Sequence, residues 1–311
     1  MPELAVGGQR WQVAAGVNLL DALNGHGVAV PSGCRAGHCH SCRVRCIGGE
    51  PHDQLPQALP SSERAAGWRL ACQCRVVEDL EVVPYDPRAD GIDAQVSALS
   101  WPSPCVLRLR VIPARPLRYQ PGQHVLLWSE DGIARPYSLA SLPGDAPWLE
   151  FHLQCARPGA FADRARALQV GDRLRLGEVL SGPLHYDPAW EARPLWLLAS
   201  GTGLAPLWAV LREALRQNHQ GPIRVLHMAA PGEHYLAAEL QALAASHPAL
   251  VVDLRGPDAD LGDLRPSRQA IALACGAPTR VEAIARRMFM AGLPRNQLFT
   301  DTFDKKPADS V

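Results

Sequence analysis

The sequence carries no surplus of charge of either sign: 31 Lys and Arg balance 31 Asp and Glu. A chain without a basic surplus lacks the electrostatic footprint that holds nucleic acid or an anionic membrane surface. No polybasic run is present either, Lys305-Lys306 being too short. The first residues, MPELAVGGQRW, lack the basic and apolar regions of a secretory signal. The longest uncharged stretch, Pro194 to Leu211, is interrupted by Gly201, Gly203 and Pro206. That pattern suits a strand, a loop and a helix start rather than a membrane span. No internal repeat is evident. These absences predict a soluble, cytoplasmic protein with neither a nucleic-acid nor a membrane partner.

Cysteine, by contrast, is plentiful and uneven. Six of the nine cysteines, at 34, 39, 42, 46, 72 and 74, fall within 41 residues. An odd total in a reducing compartment disfavours a disulfide framework, and such clustering points to metal. Cys105, Cys155 and Cys275 lie scattered, as small buried apolar residues do. Three readings of the cluster compete. A zinc ribbon would use Cys39-x2-Cys42 with Cys72-x-Cys74, which mixes two spacings and leaves Cys34 over. A set of free thiols would leave six oxidisable groups together without purpose. The third uses Cys34, Cys39, Cys42 and Cys72 in the order C-x4-C-x2-C-x29-C, the plant-type spacing for one [2Fe–2S] cluster held by four thiolates. This reading is favoured, because Gly33, Ala36, Gly37 and Ser41 let the backbone curl its N–H groups toward sulfur. His38 and His40 read as surface side chains rather than as ligands of a Rieske type.

At 311 residues the chain is long enough for two or three cores. Residues 1–88 read as short strands with one helix: a hairpin around Gly7-Gly8, then NLLDALNGHG with Asn18 as N-cap. The Pro-, Asp- and Gly-rich segment 84–93 reads as a linker. Residues 94–190 carry short β runs (VLRLRVIP, HVLLW, LEFHLQCA, DRLRLGEV) separated by turn dipeptides, the pattern of a small antiparallel barrel. In 193–303 strands alternate with helical segments, which predicts a parallel sheet flanked by helices. The last helix is expected to open on a Thr279/Glu282 capping box and to stop at Gly292 and Pro294. Residues 304–311 read as a polar tail. The predicted fold class is therefore multidomain: α+β, then all-β, then α/β.

Two further stretches carry chemistry. RPYS (135–138) offers a guanidinium for phosphate, an aromatic face and a hydroxyl, three parts that one flavin nucleotide can use. SGTGLAP (200–206) follows a strand and opens a helix, so its glycines admit a pyrophosphate close to a helix N-terminus, and Pro206 suits the first turn. It is not G-x-G-x-x-G, because proline stands where the third glycine would be.

Residues 1–85 resemble a plant-type ferredoxin of β-grasp fold. The remainder of the chain resembles the ferredoxin–NADP reductase superfamily, with its R-x-Y-[ST] and G-T-G-x-x-P motifs. The resemblance is nearest to reductase components of ring-hydroxylating dioxygenases of the naphthalene dioxygenase type. It implies FAD and NADH as cofactors. Arg135 would then meet the FAD pyrophosphate, Tyr137 stack on the isoalloxazine and Ser138 bond near its N5, with Pro136 also among the cofactor-binding residues. His152 and Gln154 belong to a second FAD segment, FHLQCARPGAF, in which Gly159, Ala160 and Phe161 would offer N–H groups to the pyrophosphate. Gly201, Thr202, Gly203 and Pro206 would hold the dinucleotide, with Cys275 and Gly276 beside the nicotinamide and Phe303 over the flavin. Ser138 and Cys275 would be the catalytic pair. After the second strand of the last domain, Ala229 and Ala230 stand where NADP-using relatives tend to carry Arg and Ser, and Glu233 can meet a ribose; NADH preference is the expectation. The implied electron order is NADH, FAD, [2Fe–2S], then a partner protein, either a ferredoxin or a Rieske oxygenase. Diiron monooxygenase reductases and deoxysugar dehydratase reductases share the domain order and are the alternatives, with a redox sensor as the non-enzyme reading.

Overall fold

The computed structural model describes residues 1–303; the predicted tail, 304–311, lies outside them. The described residues form two compact units, one gathering Met1–Gly91 with Leu126–Pro136, the other Ile92–Val125 with residues 137–303.

In the first unit Glu3–Val6 and Gln9–Gln12 pair antiparallel across Gly7 and Gly8, both with positive φ (55° and 84°). Only glycine takes two such residues in a row without strain. Glu3–Val6 also runs parallel to Leu80–Pro84, so the first and last strands of residues 1–91 lie side by side. The five-stranded sheet has the order 9–12, 3–6, 80–84, 43–48, 68–70. Helix Leu19–Gly25 lays Leu19, Leu20 and Leu23 against Leu4, Val44 and Val82, all at 0% exposure. A mixed sheet wrapped on one helix is the expected β-grasp. Asn18 caps that helix, its Oδ1 accepting from Asp21 N–H at 3.3 Å. Its Nδ2 donates to the Cys72 carbonyl at 2.9 Å, which ties the helix start to the segment carrying the distant cysteine.

The second unit contains two layers of different origin. Strands Ile92–Ser103, Val106–Pro113, Leu149–Gln154 and Arg173–Leu180 pair antiparallel, the barrel-like part of the fold. The expected linker thus ends at Gly91: Ile92 and Asp93 already belong to the first long strand. A five-stranded parallel sheet comes next, in the order 250–255, 223–228, 195–200, 271–276, 298–302. Its central strands are apolar on both faces, as helices on either side require. The order reverses beside 195–200, so the crevice between the carboxyl ends of 195–200 and 271–276 is the topological switch point, where open α/β sheets bind ligands.

One expected cap is corrected. The last helix begins at Pro278 with Ala277 in the N-cap position and no side-chain cap, so Thr279 and Glu282 form no capping box. Proline's preset φ makes position 278 the first helical residue and moves the start ahead of Thr279. The helix does end before Gly292 (φ 91°) and Pro294.

Candidate functional site

The cysteine loop, residues 31–42, has no regular structure. Its curl is produced by three left-handed residues, Arg35 (φ 54°), Gly37 (82°) and His40 (52°). The curl aims main-chain donors at sulfur: the N–H groups of Ala36, His38 and Cys39 each lie 3.3 Å from Cys34 Sγ, and Cys34 N–H lies 3.3 Å from Cys39 Sγ. Ser41 Oγ is 2.8 Å from Cys39 Sγ, and Gln73 Nε2 donates to Cys72 Sγ at 3.3 Å. Such donors favour anionic sulfur. Gly33 has a tight site, since a Cβ there would stand 3.0 Å from Cys39 Sγ.

Four thiols gather as two hydrogen-bonded pairs, Cys34 with Cys39 and Cys42 with Cys72. Within each pair the donated hydrogen bond holds one member down, Cys39 and Cys72 respectively, and raises its partner. No group of three or more His, Cys, Asp or Glu able to hold a metal ion occurs among the described residues. A mononuclear zinc site needs four donors converging on one point; two adjacent thiol pairs instead match a dinuclear cluster with two thiolates per iron. The donor set fits [2Fe–2S]. Cys74 and Cys46 differ in kind: burial raises both, Cys46 to about 11, with no hydrogen bond favouring the thiolate. His38 is exposed as expected, whereas His40 is half-buried.

On the strand Ala134–Ser138, Arg135, Pro136 and Tyr137 are half-buried and Ser138 is buried. Arg135 Nη1 donates to the Ala134 carbonyl at 2.7 Å. Tyr137 and Phe161 rings lie 5.2 Å apart, tilted by 50°, so the two flavin segments meet. Phe161 belongs to helix Ala160–Ala167, whose N-cap is Gly159. The Asp163 carboxylate accepts the Gly159 N–H at 3.1 Å, and Ala160 and Phe161 stand in the first helical turn, whose N–H groups have no partner within a helix. The two aromatic faces and the helix start fit a flavin nucleotide. Gln154 is exposed and turns its Oε1 back to Ala156 N–H.

His152 has a different position from the one expected. It is 3% exposed, with Nε2 3.1 Å from Glu150 Oε1 and Nδ1 3.2 Å from the Tyr235 hydroxyl. Both ring nitrogens are engaged by protein, which leaves none for a flavin. Burial pushes Glu150 up, but His152, Arg108 and Arg110 outweigh it and hold the carboxyl down to about 2. Arg108 also reaches Glu239, so this buried network links barrel strands to the segment after Met228. Periodicity could not have signalled it, because His152 and Tyr235 are 83 residues apart.

At the switch point, Gly201–Gly203 form one tight turn that opens helix Leu204–Arg216, with Pro206 in its first turn. Gly201 takes φ 54°. A Cβ on Gly203 would stand 2.2 Å from the Cys275 carbonyl oxygen, and one on Gly276 would stand 2.5 Å from the Ser200 carbonyl. The two loops are therefore in backbone contact. Cys275 is fully enclosed in the core, and burial raises its thiol well above the usual range. Phe303 N–H donates to the Gly276 carbonyl at 2.9 Å, which brings the last described residue to the same edge. Glu233 lies beside Cys105 and its carboxylate raises that thiol above its ordinary value.

Comparison with known proteins agrees with this geometry. Residues 5–77 match the 2Fe-2S iron-sulfur cluster binding domain, and residues 197–286 match the oxidoreductase NAD-binding domain. The chain is 32% identical over 318 residues to the ferredoxin–NAD(P)+ reductase component of the naphthalene 1,2-dioxygenase system of Pseudomonas putida, covering 93% of this chain and 94% of that one. The chain belongs to the family of ferredoxin–NAD(P)+ reductase components. The corresponding Ralstonia component of naphthalene 1,2-dioxygenase and salicylate 5-hydroxylase systems is 30% identical over 93% of this chain and 94% of that one. Among solved structures, the Amycolatopsis cytochrome P450 reductase GcoB superposes with a TM-score of 0.66 at 27% identity, over 97% of this chain and 99% of its own. The reductase is an oxidoreductase that carries electrons between NAD(P)H, FAD and a [2Fe–2S] cluster. Among its described residues no helix is long and apolar enough to cross a membrane.

Proposed function

We propose that this reductase takes hydride from NADH and delivers single electrons to a ferredoxin or Rieske oxygenase of an aromatic ring-hydroxylating dioxygenase system. The observation that carries the reading is the direct packing of Gly203 on the Cys275–Gly276 backbone at the switch point of the parallel sheet. That packing sets the loop against the 271–276 strand end, the edge at which open α/β sheets bind ligands. The flavin supplies the conversion between a two-electron hydride and single electrons.

The chain's own residues supply binding and orientation. Arg135 and the first-turn N–H groups of Ala160 and Phe161 are assigned to the flavin pyrophosphate, with Tyr137 covering the ring and Ser138 donating beside its reacting nitrogen. Gly201, Thr202 and Gly203 are assigned to the nicotinamide pyrophosphate, Gly276 to the nicotinamide side and Phe303 to the flavin. Cys275, enclosed and kept protonated by burial, is assigned beside the nicotinamide and, with Ser138, as the catalytic pair. Cys34 and Cys39 are assigned to one iron, Cys42 and Cys72 to the other. The division into 1–88, 94–190 and 193–303 is retained as ferredoxin, flavin and nicotinamide domains.

NADH over NADPH is supported by the Arg255 guanidinium, at the carboxyl end of the strand next to His227 and Met228. It is already held by Asp253 at 2.6 Å and Asp263 at 2.7 Å, and so has no capacity for a 2′-phosphate. Steady-state reduction of ferricyanide tests this: kcat/KM should favour NADH by about tenfold or more, the scale of an uncompensated phosphate charge. Equal efficiency with NADPH overturns the preference. Purified Rieske and ferredoxin proteins, tested as acceptors with NADH, test the partner; failure to reduce either removes the dioxygenase assignment.

A further inference from the structure

We infer that His227 is a positioning residue for the dinucleotide, orienting the Gly201–Thr202 peptide through a hydrogen bond to the Gly201 carbonyl. This rests on the reading of Gly201–Gly203 as the pyrophosphate loop.

His227 ends no loop and faces no solvent: it lies on strand Ile223–Met228 and is 0% exposed. Its Nε2 stands 3.1 Å from the Gly201 carbonyl oxygen. A carbonyl can only accept, so Nε2 carries the proton. Burial, reinforced by His234, pushes the imidazole down to about 4, so the ring is neutral and Nδ1 must accept. The group within reach of that nitrogen is His234 Nδ1 at 3.3 Å, which therefore carries its own proton there. The Tyr235 ring stands perpendicular to His227, with centroids 5.8 Å apart, and closes the remaining side. Tyr235 is in turn held by His152. The tautomer and the ring plane of His227 are thus set by its neighbours, as a residue that orients something else requires.

Covalent geometry carries this to the ligand side of the loop. In a trans peptide the C=O and the next N–H point in opposite directions. The Gly201 carbonyl accepts from Leu204 N–H as well as from His227, which fills both lone pairs and holds the carbonyl toward the strand. The Thr202 N–H is thereby turned the other way, toward the mouth of the turn. Gly201, at φ 54° with nothing within 4 Å of an added Cβ, is the softest residue of the loop and would otherwise let this plane rotate. A donor fixed in advance costs less on binding than one ordered by the ligand.

The test is binding of NAD+, which does not react with the oxidised holoenzyme, by titration calorimetry. His227→Leu should raise Kd about threefold to tenfold, the range of one hydrogen bond. His227→Gln, whose amide nitrogen reaches the Nε2 position, should restore affinity to within about twofold. Unchanged affinity in His227→Leu, or equal impairment by Gln and Leu, overturns the inference. Should Leu prevent folding, His227→Asn replaces it: its amide stops short of Gly201, so Asn should bind weakly where Gln binds normally, and parity between them is contrary. Hydrogen exchange of the peptide carrying Ser200–Pro206 separates this from the underlying reading. Protection by NAD+ in the wild type supports the loop site whatever His227 does; no protection removes the loop site and the inference with it.

Discussion

Gly203 and Gly201 are two residues apart, and the fold makes opposite demands on them. An alanine Cβ at 203 would stand 2.2 Å from Cys275 O, 2.4 Å from Cys275 C and 2.6 Å from Gly276 N. Ordinary carbon contacts lie near 3.5–4.0 Å, so the loop or the strand end must move by at least roughly 1 Å. Both partners are backbone, and neither can rotate away. A 1 Å displacement between reacting groups can cost about 10²-fold in rate. We expect Gly203→Ala to lower kcat/KM for NADH-dependent ferricyanide reduction by about that factor. Gly201→Ala meets no protein atom within 4 Å, and its φ of 54° costs about 1–2 kcal/mol of stability. Gly201→Ala should therefore lower the melting temperature without displacing the 271–276 strand end. Paired melting and steady-state measurements decide it. Activity of Gly203→Ala within twofold of wild type would refute the claim that this backbone contact shapes the site.

The other perturbations probe what supports the sites. Glu150→Gln removes a carboxylate held down to about 2 from 4.5, so its contribution is present above the unfolded value and is lost as pH falls toward 2. The difference corresponds to about 3 kcal/mol at neutral pH; unfolding at pH 7 should show most of this loss and unfolding near pH 2 little of it. A constant difference across that range would contradict the network. Asn18→Ala removes both a helix cap and the bond to the Cys72 carbonyl. It should destabilise the first unit by about 1 kcal/mol and hasten loss of visible absorbance on heating; an unchanged bleaching rate would deny the link.

Local chemistry was legible wherever the signal was itself local. The hairpin at Gly7-Gly8, the Asn18 cap and the turn at Gly201–Gly203 are written in neighbouring residues, and the structure builds each of them. The spacing of Cys34, Cys39, Cys42 and Cys72 was equally plain, and the structure sets Cys34 beside Cys39 and Cys42 beside Cys72. What escaped is non-local or depends on one dihedral. The strand Ile92–Ser103 alternates too weakly to be read and owes its existence to pairing with two other strands. Thr279 and Glu282 have the right spacing for a capping box, but Pro278 starts the helix a residue early. His152 sits in a segment that resembles a flavin motif, yet its partners, Glu150 and Tyr235, take both of its nitrogens. His227 gave no sequence signal, because its meaning comes from Gly201, 26 residues earlier. The left-handed turns at Arg35 and His40 likewise have no sequence mark, since neither residue is glycine.

Reduction by NADH of a [2Fe–2S] cluster held by Cys34, Cys39, Cys42 and Cys72 is open to a direct spectroscopic check. Electron paramagnetic resonance of the NADH-reduced protein, with metal analysis, is made on the wild type, Cys72→Ser and Cys74→Ser. Two irons per chain and a reduced-cluster signal are expected in the wild type and in Cys74→Ser, with the native signal absent in Cys72→Ser. Zinc in place of iron, or loss of the signal in Cys74→Ser with retention in Cys72→Ser, would contradict this ligand set.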